Sequence, residues 1–155
     1  MKTVEIYTDG ACSGNPGAGG YGALLLYGSA KKELSAGYRM TTNNRMEMLA
    51  VIKALEALKE PCHVVLYSDS KYVIDAITKG WVTKWKQNGW QKNKKEKASN
   101  VDLWEDMIKQ LERHDVTFQW VKGHADNPGN EYCDTLARKA ILSNNLQEDE
   151  NYRNS

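Results

Sequence analysis

The sequence predicts a mixed α/β fold in which helices flank one five-stranded sheet. Two observations lead to this prediction. Three strand-like segments come first, joined by connections that suit antiparallel neighbours, and two further strand-like segments then alternate with helical ones. Strands reached through a helix pair in parallel by right-handed crossovers. The 155 residues are enough to bury one core and suit a single domain.

The first three predicted strands form an antiparallel meander. Residues 4–8 alternate between apolar and polar side chains, residues 23–27 are apolar, and residues 32–39 alternate again. The glycine-rich stretch between the first two strands is predicted as a loop. Its Gly-x-Gly-x-x-Gly pattern would suit a dinucleotide only if a helix followed, and an apolar strand follows instead.

Helices and two more strands complete the predicted fold. A Thr-Thr-Asn-Asn run at residues 41–44 can cap a helix over about residues 44–59, which Pro61 ends. The remaining strands are predicted at residues 62–68 and 115–122, and the remaining helices at about residues 71–78, 101–113 and 128–142. We therefore expect a domain of residues 1–142. Residues 143–155 are polar without an apolar face, so we expect a flexible tail whose removal costs little stability.

Composition excludes several classes of protein. Charged residues make up 26% of the chain, and the longest apolar run, residues 23–27, is far below the ~20 residues of a membrane span. The three cysteines form no C-x-x-C pair, which argues against a disulfide framework or a thiolate zinc site. The first residues lack a signal-peptide pattern, so we expect a cytoplasmic protein.

One segment concentrates positive charge and aromatic rings. The net charge is only +1, but residues 79–97 contain seven lysines, one glutamate and three of the five tryptophans. A lysine run is commonly a solvated surface. Interleaved tryptophans favour nucleic acid, because lysines neutralise phosphates and flat rings stack on bases or sugars. We call residues 80–98 the basic protrusion.

Two predicted strands end in the same way. Residues 4–9 and 64–69 both read Val-x-aliphatic-Tyr-hydroxyl-Asp and end at Asp9 and Asp69. If these strands are adjacent and parallel, their spacing of about 4.8 Å brings the two carboxylates together at one sheet edge. Such a pair needs a shared proton or a cation. Each aspartate alone would also suit a turn or a helix cap.

Two further acids lie on predicted helices. At about 100° per residue, Arg45, Lys53 and Glu56 define a solvent face of the first helix. Glu47 lies about 180° from Glu56, on the apolar and predicted buried side of the helix. A buried carboxylate there needs a metal ion or a structural salt bridge. Asp134 lies beside the apolar stripe of the last helix, and its position alone suits either a surface or a site. Four oxygen donors without a cysteine or histidine cluster suit Mg²⁺ or Mn²⁺ and disfavour zinc.

One histidine has a distinctive context. His124 follows Val-Lys-Gly just after the fifth predicted strand. A histidine there is commonly a loop residue, but beside a metal and a phosphate an imidazole could transfer protons. The chain has no G-x-S-x-G elbow, so the residues favour metal-assisted phosphodiester chemistry over serine hydrolase chemistry.

Five motifs, in order, resemble those of the type I ribonucleases H. They are YTDGACSGNPG at 7–17, TTNNRME at 41–47, SDS at 68–70, WVKGHA at 120–125 and NEYCD at 130–134. The resemblance covers about residues 4–140. Within the family, the chain resembles the bacterial form that carries a basic protrusion. It implies a ribonuclease H-like fold. It also implies endonucleolytic cleavage of the RNA strand of an RNA/DNA hybrid, leaving 5′-phosphate and 3′-hydroxyl ends.

The same resemblance implies roles for individual residues. Two Mg²⁺ ions, for which Mn²⁺ could substitute, would be held by Asp9, Glu47, Asp69 and Asp134. His124 would relay a proton from the nucleophile or aid product release. Substrate contacts are implied for Cys12, Asn15, Thr42, Asn43, Asn44, Trp81, Lys84 and Lys86.

These implied substrate residues form two groups. The residues from Cys12 to Asn44 would line the minor groove and read 2′-hydroxyls, with Thr42 on a DNA-strand phosphate. Trp81 and the nearby lysines would grip the DNA strand. The Thr-Thr-Asn-Asn run is equally suited to plain helix capping. We expect the hybrid duplex as partner and a monomer that needs no membrane or obligate protein partner.

Two departures and two alternatives remain open at this point. Lys71 and Asp75 stand where the bacterial pattern usually has amide side chains, which weakens any assignment of substrate contacts to them. An integrase- or resolvase-like DNA nuclease would use similar acids but lacks the asparagine-rich motifs. A non-catalytic nucleic-acid binder would have no need for four acids beside a phosphate.

Overall fold

The computed structural model describes residues 1–122 and 127–152, so His124 lies outside the described residues. The strands are β1 (Thr3–Ser13), β2 (Gly17–Tyr27), β3 (Ala30–Thr41), β4 (His63–Ser68) and β5 (Asp115–Trp120). The helices are α1 (Asn43–Glu56), α2 (Lys71–Thr78), α3 (Trp81–Gln87), α4 (Val101–Arg113) and α5 (Pro128–Ile141). In this part of the chain no helix is both long and apolar enough to cross a membrane.

The strands form one mixed sheet in the order β3-β2-β1-β4-β5. The pairs β1–β2 and β2–β3 are antiparallel, and the pairs β1–β4 and β4–β5 are parallel. This arrangement confirms the predicted fold class. The register of the central parallel pair sets Tyr7 opposite Tyr67, so both strands approach the same edge of the sheet in step.

Helices cover both faces of this sheet. Successive residues of a strand point to opposite faces. On one face Gly10 of β1 lies against α1, and on the other Tyr7 lies against Gly129 of α5. The core between the sheet and α1 continues to α4, where the Trp104 side chain is fully buried.

The first two strands are longer than the sequence predicts. β1 continues past Asp9 to Ser13, and the glycines predicted as a loop belong to β2. The cause is helix packing: a Cβ on Gly20 would lie 2.5 Å from the Ala137 carbonyl oxygen, and one on Gly22 would lie 2.4 Å from that of Cys133. These glycines allow α5 to lie directly on β2. A strand with several such glycines has the composition of a loop.

The predicted solvent face of α1 is correct at one end and wrong at the other. Lys53 and Glu56 are exposed and form an ion pair of 3.5 Å. Arg45, by contrast, has only 3% of its side chain exposed. Asp102 of α4 and Asp149 near the carboxyl terminus cover it, so a face that looks open on a helical wheel is closed by distant segments.

Residues 146–152, here called the C-terminal segment, lie against the edge strand β3. The Gln147 amide donates to the Gly37 carbonyl at 2.8 Å, and the Arg39 amide donates to the Gln147 carbonyl at 2.9 Å. Leu146 packs beside Gly37. The sequence predicts a flexible tail and does not predict these contacts. One paired residue gives no alternating pattern from which a strand could be predicted.

Candidate active site

Three acids meet where β1 and β4 approach the same sheet edge. Asp9, Glu47 and Asp69 each offer a carboxylate oxygen, and these oxygens all lie within 4.8 Å of one another. We call these three residues the acid cluster. Asp9 and Asp69 each lie two residues beyond the paired Tyr7 and Tyr67, which explains why parallel pairing brings them together.

Glu47 reaches the cluster because α1 begins against β1. A Cβ on Gly10 would lie 2.5 Å from the Glu47 backbone nitrogen, so only glycine permits this approach. The Gly10 amide donates a hydrogen bond of 3.0 Å to Asp9 Oδ1. Glu47 is 6% exposed, which confirms the predicted burial of its carboxylate.

The buried acids raise one another's pKa values. Burial, followed by the charges of Asp69 and Asp134, raises the pKa of Asp9 to about 8. Burial, followed by the charges of Asp9 and Asp69, holds the pKa of Glu47 well above its ordinary range. Asp9 therefore holds a proton at neutral pH unless a cation neutralises it, and Glu47 holds its proton more tightly than an ordinary glutamate.

The donor set fits a divalent cation. Carboxylate oxygens are the ligands that hard ions such as Mg²⁺ and Mn²⁺ prefer. The Glu47 Oε1 atom is buried and has no hydrogen-bond partner among the described residues. Such an oxygen is available to coordinate a metal ion. Asp9, Glu47 and Asp69 can therefore hold a metal ion between them.

Asp134 lies at the margin of the acid cluster. It comes from α5, its side chain is 11% exposed, and it forms an ion pair with Arg138 one turn later. It also hydrogen-bonds to Asp9, and its negative charge raises the pKa of that residue. The structure thus brings Asp134 to the three clustered acids, where it interacts with both Asp9 and Arg138.

The predicted minor-groove residues gather around the beginning of α1. The Thr42 hydroxyl accepts a hydrogen bond of 3.3 Å from the Arg45 amide and caps the helix. The Asn43 amide donates to Asn15 Oδ1 at 3.1 Å, which ties the turn to the loop after β1. Cys12 Sγ lies 3.5 Å from the Thr41 carbonyl oxygen. Capping leaves Asn44 exposed beside these residues.

A groove of about 870 Å³ lies between this turn and the basic protrusion. On the turn side it is lined by Asn15, Thr42 and Asn44. The rest of its lining includes Lys92 of the basic protrusion and residues that the sequence did not single out for binding, among them Tyr72, Asn100 and Tyr152. The Asn100 side chain donates to the Tyr72 hydroxyl at 3.1 Å and does not cap α4. Its positive φ of 62° marks a special turn that sequence alone does not reveal.

The basic protrusion presents one tryptophan and several lysines to solvent. Trp81 begins α3 and is 41% exposed, with Lys79 Nζ 5.6 Å from its ring centre. Lys84 and Lys86 are exposed on the same helix. Trp85 packs edge-on against the buried Trp104, with ring centres 6.3 Å apart, so it anchors the protrusion to the core.

The two departures from the bacterial pattern lie near Asp69. The Lys71 ammonium lies 4.6 Å from the ring centre of Trp120, whose indole N–H donates to the Asp69 carbonyl at 3.2 Å. The Lys71 ammonium therefore lies against the same ring that binds the backbone of Asp69. Asp75 pairs with Lys79 at 3.6 Å, which offsets its negative charge.

Comparisons with known proteins identify the family of this chain. The family model for RNase H matches residues 1–142. The chain is 60% identical over 152 residues to ribonuclease H of Syntrophus aciditrophicus, covering 98% of this chain and 88% of that protein. It is also 60% identical over 152 residues to ribonuclease HI of a Synechocystis species, covering 97% and 95% of the two chains.

A solved structure shows the same fold. LC9-RNase H1, a type 1 RNase H with the type 2 active-site motif, superposes with a TM-score of 0.82 at 33% identity. The match covers 92% of this chain and 73% of that one. With the family model, two relatives at 60% identity and this fold in agreement, the chain belongs to the ribonuclease H family, as a type I member.

Proposed function

We propose that this chain cleaves the RNA strand of RNA/DNA hybrids by metal-assisted hydrolysis, leaving 5′-phosphate and 3′-hydroxyl ends. The observation that carries the proposal is the position of the acid cluster. Three acids with oxygens within 4.8 Å of one another stand at the sheet edge where α1 begins, and that same turn of α1 lines the groove. A phosphodiester bound in the groove would therefore meet a site built for cations.

Four acids would coordinate the metal. Asp9, Glu47 and Asp69 would supply the shared ligand oxygens, and Asp134 would complete the set from α5. When bound, a pair of Mg²⁺ ions, or Mn²⁺ in their place, lowers the pKa of the attacking water and stabilises the leaving 3′-oxygen. The Gly10 amide fixes the orientation of Asp9, so the ligand is pre-positioned by the backbone. His124 would move a proton or aid product release, as its motif suggests.

Discrimination between RNA and DNA would come from the turn at residues 42–44 and from the loop after β1. Cys12, Asn15, Asn43 and Asn44 offer short polar groups suited to 2′-hydroxyls, and Thr42 offers a hydroxyl to a DNA-strand phosphate. On the basic protrusion, the exposed Trp81, Lys84 and Lys86 would hold the DNA strand by stacking and charge. Cys12 and the asparagines would thus contact the RNA strand, whereas Thr42 and the basic protrusion would contact the DNA strand.

The proposed enzyme works as a single chain. The three clustered acids Asp9, Glu47 and Asp69 meet within one chain, so we propose a monomer. Cys12, Cys62 and Cys133 are free thiols, which supports a reducing compartment such as the cytoplasm.

The test uses an RNA/DNA hybrid labelled on each strand in turn, incubated with and without Mg²⁺, beside duplex RNA and duplex DNA. We expect metal-dependent cutting of the RNA strand of the hybrid alone, with 5′-phosphate ends on the products. Cutting of duplex DNA would instead favour an integrase- or resolvase-like nuclease. Tight hybrid binding without cutting in Mg²⁺ would favour a non-catalytic binder.

A further inference from the structure

We infer that Asp149 is a positioning residue for hybrid binding, through which the C-terminal segment holds the turn at residues 42–44 in its binding geometry. This inference rests on the proposed function, because that turn is the proposed reader of 2′-hydroxyls. It also assigns residues 146–152 to the working domain, whereas composition alone would end the domain at residue 142.

Asp149 fastens both ends of the turn. Its Oδ2 atom accepts a hydrogen bond of 2.7 Å from the Thr41 hydroxyl and another of 2.7 Å from Arg45 Nε. Its Oδ1 atom accepts from a second guanidinium nitrogen of Arg45 at 3.0 Å. Thr41 immediately precedes the turn and Arg45 immediately follows it, so one carboxylate clamps the backbone on either side.

The clamp is buried and charge-assisted. The side chains of Arg45 and Asp149 are 3% and 7% exposed. Arg45 also makes a bidentate pair with Asp102, at 2.9 and 2.7 Å, and a bond of 3.3 Å to Asn100. Bidentate pairs of this kind fix geometry as well as adding energy. Arg45 therefore joins the turn, the far wall of the groove and the C-terminal segment in one network.

The approach of the C-terminal segment explains how Asp149 reaches this position. Gln147 pairs with the open edge of β3, and Leu146 packs beside Gly37, which sets the register of the segment. Asp149 then lies over the end of β3 at Thr41. Beyond it, Asn151 and Tyr152 line the same groove as Thr42 and Asn44. The segment therefore forms part of the groove wall.

The clamp should act on binding and leave the chemical step intact. The hydrogen bonds of Asp149 run to Thr41 and Arg45, whereas the acid cluster is set by β1, β4 and the contact of Gly10 with Glu47. Loosening the turn would spread its polar groups over several orientations. The reduced pre-organisation would weaken hybrid binding before catalysis.

The experiment compares Asp149→Asn with Asp149→Glu and with the control Glu148→Gln. Glu148 forms an exposed ion pair with Arg39, in which the side chains of Arg39 and Glu148 are 60% and 65% exposed. The control therefore removes one neighbouring carboxylate without touching the clamp. Steady-state rates are measured on a labelled hybrid in saturating Mg²⁺, at a temperature where circular dichroism shows every variant folded.

We expect Asp149→Asn to raise KM by roughly 5- to 20-fold with kcat within about twofold, as the removal of a charged hydrogen-bond acceptor would cause. Asp149→Glu, which keeps the charge, should recover part of the loss, and Glu148→Gln should keep the parental KM. An unchanged KM in folded Asp149→Asn would overturn the inference, as would a fall in kcat at constant KM. If the asparagine variant does not fold, Asp149→Glu decides: a raised KM supports the clamp and an unchanged one overturns it. Failure of the parental protein to cut the RNA strand would instead refute the proposed function.

Discussion

Asp9 and Asp69 occupy equivalent positions on two adjacent parallel strands, each two residues beyond the stacked pair Tyr7 and Tyr67. Those rings lie 4.6 Å apart and nearly parallel, at 11°. The stacking continues the strand register up to the sheet edge, so the two aspartates arrive side by side. Their proximity is therefore a consequence of backbone pairing. Two carboxylates this close repel each other and destabilise the metal-free fold, as is common at functional sites.

Asp9→Asn should abolish activity and stabilise the metal-free protein. The amide oxygen can still accept the Gly10 hydrogen bond of 3.0 Å, so the local fold is kept, but a charged ligand is removed. We expect kcat to fall roughly a thousandfold or more. Because the variant removes a buried carboxyl whose pKa is raised to about 8, we expect the metal-free melting temperature to rise by roughly 2–8 °C.

Differential scanning calorimetry with and without Mg²⁺ checks this prediction. The parental protein should gain stability from the ion, since a ligand that binds only the folded state raises its stability. Asp9→Asn should gain much less. Retained turnover, or a lower metal-free melting temperature in a variant that keeps its fold, would contradict the assignment of Asp9 as a buried metal ligand.

The stability of the metal-free protein should fall as pH rises from about 4 to about 8. The pKa of Asp9 is about 8 in the folded chain against an ordinary 3.8, so in this window the folded state holds a proton that the unfolded state has released. Stability then decreases with pH by about 1.4 kcal/mol per pH unit for each such proton. Urea unfolding in a chelator at several pH values gives this slope.

The difference between the parental protein and Asp9→Asn isolates the effect. Burial, followed by the Arg113 charge, lowers the pKa of His114, whose contribution has the opposite sign and is lost as pH falls below about 6.5. His114 is present in both proteins, so it cancels in the comparison. Equal pH slopes for the two proteins would show that Asp9 is ionised in the metal-free fold.

Removing lysines of the basic protrusion should weaken hybrid binding and its dependence on salt. The variant replaces Lys84, Lys86, Lys92, Lys94 and Lys95 with alanine; all five are exposed. Each phosphate that a lysine no longer neutralises should lower the slope of log K against log salt by roughly one. We expect a higher KM in low salt and a flatter salt profile, measured by titration of KM with KCl.

A control for charge alone replaces Lys32 and Lys59. Both lysines are exposed. Lys32 lies near the end of β3 remote from Thr41, and Lys59 lies three residues after the end of α1. This double variant should keep the parental salt slope. A protrusion variant with an unchanged slope would mean that the protrusion does not contact the substrate.

Features set by local periodicity and strand order could be predicted from the sequence, whereas those set by distant partners could not. The approach of Asp9 to Asp69 follows from two similar strands in a parallel sheet, and the burial of Glu47 follows from helical period. The burial of Arg45 depends on acids 57 and 104 residues further along the chain. Such partners leave no trace in the pattern of a single helix.

The prediction of a loop at the glycine-rich strand was wrong for a related reason. In β2, Gly20 and Gly22 are required by the approach of α5, which lies more than a hundred residues away in sequence. Composition cannot separate a glycine that permits a turn from one that permits close packing. The acid cluster could be predicted because Asp9 and Asp69 follow the same local pattern in two adjacent parallel strands, and helical period places Glu47 on the buried side of α1.

Deletion of residues 143–155 should destabilise the protein, although the polar composition of that stretch predicts little cost. The deletion removes the Gln147 pairing with β3 and the three hydrogen bonds that Asp149 accepts. It also exposes one side of the buried Arg45 guanidinium, which retains Asp102 and Asn100. We expect the free energy of unfolding to fall by about 2–4 kcal/mol, measured by urea denaturation at fixed pH and salt.

Two shorter changes locate the source of that destabilisation. Asp149→Ala in the full chain should reproduce most of it, because the buried charge pair carries more of the energy than an exposed edge contact. A chain ending at Tyr152 keeps every contact described for the C-terminal segment and should match the parental stability. If the full deletion leaves the free energy of unfolding within about 0.5 kcal/mol of the parental value, the segment contributes no net stability and the compositional expectation is right.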